Sequence, residues 1–436
     1  MSTAMSKSAG RIPASSGRGA VDDAEKGTRD ECVAHRTLAT RRLNRIPPAT
    51  NVVSSALKLL VLAHVPPPVH GQSVMVQAML EGLAQHPGLA LHHVDFRLSR
   101  ESADIGRWRC GKFTSTVRLA RQAAREGRRQ GCDTLYYVPA PPGKRGALYR
   151  DWAVMTMTRP YFRRLVLHWH AAGLADWLET KAKWPERAMT RALMGRADLS
   201  IVLAESLRPD AASLGARCIE VVPNGVPDPG PPASRPPGPA PFRALFLGLC
   251  SEEKGLFAAA EAVLAANRSL NAPAEKPRFH LTAAGPFAAT ADARRMRDLN
   301  TANPAAIQHI GFAGSAEKRA LFADSDCLIF PTRYAAEGQP LVVLEALAHD
   351  LPVITTRWRA LPDIVTPECG RLVAGQDAAG LAEALVDLQR SPLPAGTRRT
   401  RFLRNFTLQR HLNGLAAALE RLDGTEGYGR VSSSGG

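Results

Sequence analysis

Three runs close together in the second half of the chain decide the fold: Asp326-Cys-Leu-Ile-Phe-Pro331, Glu337-Gly-Gln-Pro-Leu-Val-Val-Leu-Glu345 and Leu351-Pro-Val-Ile-Thr355. The first and last are short, apolar and bounded by Pro or Asp, as buried parallel strands are. The middle run opens with a Gly-Gln-Pro turn and continues as an apolar helix. Pro340 is expected in its first turn, where a missing N–H costs nothing. A strand, a loop, a helix and a second strand form one unit of an α/β sheet, and such sheets bind ligands at the carboxyl ends of their strands.

The chemistry of that unit follows from its spacing. Unpaired amides at a helix front bind phosphate, aided by the helix dipole. Glu345 stands about five residues into the helix, roughly 7–8 Å along its axis. A diphosphate at the helix front would have Glu337 on one side and Glu345 on the other. An ionised carboxylate accepts hydrogen bonds from two neighbouring hydroxyls. Glu337 therefore suits a hexose and Glu345 a ribose, the two ends of a nucleotide-diphosphate sugar. Two acids on a solvated helix face are the plain alternative, and the flanking buried strands weigh against it.

Outward from this unit the same alternation recurs. Leu57-Lys-Leu-Leu-Val-Leu-Ala63 reads as a buried strand, followed by a Pro-rich loop and a helix over 73–85. Further strands are expected over 91–96, 134–138, 164–168 and 199–203, and then over 243–247, 278–283, 307–312, 327–330 and 353–355. Strands alternating with helices predict doubly wound domains. The organisation expected is an extension without periodicity over 1–50, a Rossmann-like domain over 51–226 and a Pro-rich linker over 227–241. A second Rossmann-like domain covers 242–400, a C-terminal helix over 401–422 packs back on the first domain, and a Gly/Ser-rich tail follows over 423–436. The fold class is α/β, with two doubly wound domains facing each other across a cleft.

Other residues fall at the same strand ends. Lys254 lies in the loop after the first strand of the second domain, placed to neutralise a leaving diphosphate. Gly71 follows the first strand of the first domain and allows close backbone approach. His168 and His170 end a strand and share one face by alternation; His168 reads as a core residue and His170 as the one directed to the cleft. No acidic or Cys cluster accompanies them as a zinc site requires. Asp324-Ser-Asp326 has the look of an Asp-x-Asp metal motif, but it precedes a strand and so lies at the wrong end of the sheet. No Gly-x-Gly-x-x-Gly follows a strand, which argues against a dinucleotide oxidoreductase.

Composition narrows the class. The 436 residues carry a net charge of +16. Much of the excess lies in 97–130 and 144–164, a field that favours anionic partners, though a solvated Arg-rich face is equally consistent with it. Seven scattered cysteines lack metal or redox spacing and read as reduced thiols. No apolar run approaches the ~20 residues of a spanning helix, and no leader pattern is seen at the N-terminus. A cytoplasmic protein, peripheral on the inner face of a membrane, is expected.

With these residues in view, the chain from about Leu57 to Leu422 resembles the family-4 retaining glycosyltransferases of GT-B fold. The resemblance rests on Gly311-Phe312, on 323–332, on the Glu-x7-Glu pair Glu337 and Glu345, on Leu361-Pro-Asp-Ile-Val365 and on Pro223-Asn-Gly-Val226. Pro66-Pro-Pro-Val-His-Gly71 is similar to members that build bacterial surface polysaccharides. The resemblance implies Glu337 at the donor sugar, His170 on a donor-sugar hydroxyl, Lys254 on the diphosphate and Glu345 on the ribose. Gly71 and the backbone of Gly338, Gln339 and Leu341 would complete the donor site. It implies a hexose moved with retention from a nucleotide-diphosphate sugar to a glycan or polyprenyl-diphosphate-linked acceptor. No cofactor and no metal are implied, and nucleic acid is not an expected partner. Two departures stand out: Leu249 where the family has Arg, and Asp350 where it tends to have Gly. Asp tolerates a positive φ, so little effect is expected there. A nucleotide-sugar 2-epimerase of the same fold and a non-enzymatic basic binding protein are the alternatives.

Overall fold

The computed structural model describes residues 56–97, 110–232 and 241–424. The 1–50 extension, most of the linker, the far tail and Arg100, Arg107 and Arg109 of the basic stretch lie outside the described residues. The remainder falls within one compact unit.

The first sheet holds β1 (Leu57–Ala63), β2 (Leu89–Asp95), β3 (Thr134–Tyr137), β4 (Arg164–Trp169), β5 (Leu199–Val202) and β6 (Ile219–Val221). All are parallel, in the order β2-β1-β3-β4-β5-β6. Between them run α1 (Gly71–Leu83), α2 (Cys110–Gln130), α3 (Arg145–Thr158), α4 (Leu174–Thr180), α5 (Trp184–Met194) and α6 (Arg208–Ala212). The second sheet holds β7 (Phe242–Leu247), β8 (Phe279–Ala284), β9 (Ile307–His309), β10 (Cys327–Phe330), β11 (Val353–Thr356) and β12 (Gly370–Val373). Its order is β12-β11-β10-β7-β8-β9, again parallel. Its helices are α7 (Leu256–Ser269), α8 (Thr290–Ala302), α9 (Ser315–Ala323), α10 (Leu341–Ala348), α11 (Leu361–Ile364) and α12 (Ala378–Arg390), followed by α13 (Thr397–Asn405) and α14 (Leu408–Gly424).

Central strands such as β10, Cys-Leu-Ile-Phe, are buried along their whole length, because helices cover both faces of a parallel sheet. In each sheet the strand order reverses once, between β1 and β3 and between β7 and β10. These switch points are where doubly wound sheets open a crevice at their carboxyl ends.

Several boundaries depart from expectation. The strand read over 307–312 stops at His309, the chain turning at Gly311 with φ +80° and leaving Phe312 73% exposed. Pro340 is the N-cap of α10, one residue outside the helix where it was expected. The edge strands β6 and β12 escape a reading by apolar runs, since most of their residues are only half buried.

Residues 401–422 are two helices rather than one. α13 packs on α10 in the second domain, and α14 packs on α1 in the first. The break falls at Phe406 and Thr407, where the chain pairs with Val226: Val226 N–H donates to the Phe406 carbonyl at 3.0 Å, and Leu408 N–H to the Val226 carbonyl at 2.9 Å. The two passages between domains thus run side by side. Leu412, Leu415 and Leu419 of α14 enter one apolar cluster with Val76, Met79 and Leu83 of α1.

Asp350 has φ +57°, and its carboxylate does more than tolerate the turn. It accepts the N–H groups of Gly396 at 2.5 Å and Arg399 at 3.1 Å, and pairs with Arg398 at 3.2 Å. Asp350 thus caps α13.

Candidate active site

The loop after β10 is fixed from the neighbouring strand. Thr355 Oγ1 donates to the Phe330 carbonyl at 2.6 Å, Thr356 Oγ1 to the Thr332 carbonyl at 2.6 Å and Trp358 Nε1 to the Tyr334 carbonyl at 2.8 Å. The loop after β7 is tied to it: Arg333 N–H donates to the Glu253 carbonyl at 2.8 Å, and the Gln376 amide reaches the Pro331 carbonyl at 2.8 Å and that of Glu252 at 3.2 Å. The two loops flanking the switch point form one rigid platform.

Glu337 and Lys254 meet on that platform. The Lys254 ammonium donates to Glu337 Oε2 at 2.7 Å, and Thr332 Oγ1 donates to the same oxygen at 2.8 Å. Glu337 is 5% exposed. The Tyr334 ring lies 4.5 Å from the Lys254 nitrogen and that of Phe330 5.8 Å, so aromatic faces add to the attraction on the cation. Glu345 stands farther along α10, half buried, paired with Lys318 of α9 at 2.5 Å. Sequence reasoning assigned Lys254 and Glu337 to different parts of a ligand and missed their pairing. It also missed Lys318, Thr332 and Gln376, whose roles are set by contacts between separate elements.

The first domain closes over this platform. Gly71 begins α1, and a Cβ built on it would lie 3.8 Å from the Leu341 side chain at the front of α10. The helix fronts of the two domains therefore meet. A Cβ on Gly338 would lie 2.1 Å from the His170 carbonyl, so only glycine permits this approach. Ala172 N–H donates to the Ala336 carbonyl at 3.4 Å. Gln339 Oε1 accepts Asn224 N–H at 2.6 Å, and its carbonyl accepts from Asn224 Nδ2 at 3.2 Å. Gln339 thus clasps Asn224 through both its side chain and its backbone carbonyl.

His170 sits just past β4 at the end of a row of imidazoles. Its ring is 4.1 Å from that of His168, which lies 6.2 Å from His411 of α14. His168 Nδ1 shares a hydrogen bond of 2.5 Å with the Tyr136 hydroxyl, and His411 Nδ1 lies 2.7 Å from the Pro223 carbonyl. Burial, then the neighbouring His411 and His70, hold His170 down at about 3. Burial holds His411 at about 4, against a smaller opposing effect of the Pro223 carbonyl. His168 is lowered too, mainly by burial. The row is neutral at physiological pH, so His170 presents a neutral imidazole.

Asp326 is at the opposite strand edge, its carboxylate accepting the N–H of Arg243 at 2.8 Å. Leu249 is 43% exposed. The described cysteines Cys132, Cys218, Cys250, Cys327 and Cys369 are free thiols.

Comparison with known proteins bears on this geometry. Residues 241–391, the segment carrying Lys254, Glu337 and Glu345, match the family described as glycosyl transferases group 1. The matched segment spans the second domain. WcaL of Salmonella typhimurium, named for colanic acid biosynthesis glycosyltransferase, is 31% identical over 157 residues, 34% of this chain and 36% of that protein. WcaL of Escherichia coli is 29% identical over 152 residues. The chain thus matches about a third of the length of these curated relatives. In fold the two domains together resemble sucrose-phosphate synthase from Thermosynechococcus elongatus, with TM-score 0.65, 18% identity and coverage of 84% of this chain and 100% of the other. HepE of Anabaena, solved with UDP and glucose, has TM-score 0.59, 16% identity and the same coverages. The whole described chain has the GT-B fold.

Proposed function

We propose that the chain is a retaining glycosyltransferase of family-4 type. It moves a hexose from a nucleotide-diphosphate sugar to a hydroxyl of a glycan or polyprenyl-diphosphate-linked acceptor, in assembly of a cell-surface polysaccharide. The observation that carries this reading is the meeting of Glu337 and Lys254 at the switch point, beside the front of α10 and with Glu345 deeper along the same helix. The colanic acid name of WcaL and the UDP complexes of HepE support the substrate class.

Each residue has a task in such a transfer. The first amides of α10, which have no partner within the helix, receive the diphosphate. Lys254 shifts its charge toward the phosphate as the bond to the anomeric carbon breaks. Glu337, held by Thr332, accepts from hexose hydroxyls, and the neutral His170 bonds another. Glu345, held by Lys318, accepts from the ribose. The acceptor oxygen attacks on the face from which the phosphate leaves, and the leaving phosphate oxygen takes the acceptor's proton. Positioning and charge stabilisation supply the acceleration. With Lys254 in this role the reaction needs no metal, and an acceptor on a lipid carrier places the protein at the membrane's inner face.

A thermal-shift screen against UDP-, GDP- and ADP-sugars identifies the donor, since a ligand at 100 times its Kd stabilises by about 2.7 kcal/mol. With that donor, Glu337→Ala lowers turnover by about two to three orders of magnitude while circular dichroism reports an intact fold, the unpaired Lys254 costing about 3 kcal/mol of stability, and EDTA leaves wild-type turnover unchanged. Full activity in Glu337→Ala would refute the assignment. Sugar released or rearranged without acceptor would point to the epimerase.

A further inference from the structure

The first two turns of α5 place polar side chains inward and apolar ones outward. The inward face carries Glu186 and Thr190, both buried, and only the last turn adds Met194 to the apolar core. Their polar groups are fully employed: Glu186 accepts from Lys183 N–H at 2.8 Å, Arg145 Nε at 2.8 Å and the Tyr149 hydroxyl at 2.8 Å. Thr190 Oγ1 accepts from Trp152 Nε1 at 3.1 Å and donates to the Glu186 carbonyl at 2.7 Å. The outward arc is apolar instead: Trp184, Pro185, Ala188, Met189 and Ala192 are all exposed. Trp184 is 80% exposed and Met189 46%. A helix that serves only to cover a core has the reverse arrangement.

The surroundings of this arc say what it meets. Exposed Lys181, Lys183 and Arg191 border it. α3 packs against both α5 and α2, so the three helices form one layer. On α3, Tyr149 is exposed and its ring lies 4.9 Å from that of Trp152. On α2, Arg118, Arg121, Arg125 and Arg128 are exposed. An apolar stripe with a protruding indole, bordered by cations, matches the interface of an anionic bilayer. Indole rings settle at headgroup level, and lysine and arginine meet lipid phosphates. An apolar protein partner would not require the cations, and an acidic one would not require the apolar arc.

We propose that the outward face of α5 is a docking surface that inserts Trp184 and Met189 into the headgroup region of an anionic membrane. The inference builds on the part of the proposed function that places the acceptor on a lipid carrier, and is separable from donor binding.

The test uses the full chain and flotation with vesicles of phosphatidylcholine alone or with about 30% phosphatidylglycerol. Wild type floats with the anionic vesicles and much less at high salt. The double variant W184S/M189S loses binding about tenfold, and K181E/K183E loses the preference for phosphatidylglycerol. Brominated lipids quench part of the wild-type tryptophan fluorescence, and that part disappears in W184S. In every variant the thermal shift with the donor nucleotide-sugar is unchanged. Donor binding that fails while flotation holds would count against the transferase and leave this surface standing. Undiminished flotation of W184S/M189S would overturn the proposal. So would absence of vesicle binding by a wild-type dimer that W184S/M189S turns into a monomer, which would assign the face to a second copy.

Discussion

Glu337 illustrates how much of a residue's chemistry lies in its neighbours. A carboxylate 5% exposed is costly unless its charge is met, and here Lys254 and Thr332 both meet one oxygen. That arrangement holds the acid and the cation in register. The imidazole row has a different consequence. Burial lowers His411 to about 4 and His170 to about 3, so the folded protein keeps them neutral while the unfolded chain protonates near 6.5. Their contribution to stability is therefore complete above about pH 6.5 and is lost as pH falls toward 4. At pH 5 each costs about 2 kcal/mol. Melting curves at pH 7.5 and 5 check this: His411→Gln has a smaller difference between the two than wild type.

At the scale of elements, Asp350 shows one short side chain organising a helix it does not belong to. Its carboxylate takes two N–H groups at the front of α13 and pairs with Arg398, which is 4% exposed. Asp350→Gly relieves the positive φ but strips the cap and leaves a buried guanidinium with fewer partners. A loss of about 2 kcal/mol in denaturant unfolding is expected, with Asp350→Asn intermediate. Gln376 acts similarly between loops, tying the segment of Lys254 to that of Glu337. Neither role follows from local pattern, because each partner is distant in sequence.

For the whole molecule the decisive feature is closure of the two sheets' carboxyl edges on each other. Gly338 against the His170 carbonyl, Gln339 on Asn224, and Arg359 paired with Asp176 at 2.6 Å all join the domains. Gly338→Ala forces the platform away from β4's end by a Cβ's width. Turnover falls about a hundredfold, while circular dichroism reports an intact fold, since each domain keeps its own core. Retained turnover in Gly338→Ala would show that this close approach is not part of the working geometry.

The sequence by itself determined the two doubly wound domains and the neighbourhood of Glu337. Apolar strand runs and the Gly-Gln-Pro turn are local signals, and a parallel sheet places its ligand at a known edge. The half-buried edge strands, the break at Phe406 and the Lys254–Glu337 and Lys318–Glu345 pairs were decided only by tertiary structure. So was the outward apolar face of α5: its residues look like ordinary core in sequence, and only the packing of Glu186 and Thr190 inward shows which side is left to the outside. Periodicity records that a helix has two faces, whereas the partners each face finds are set by chain segments far away.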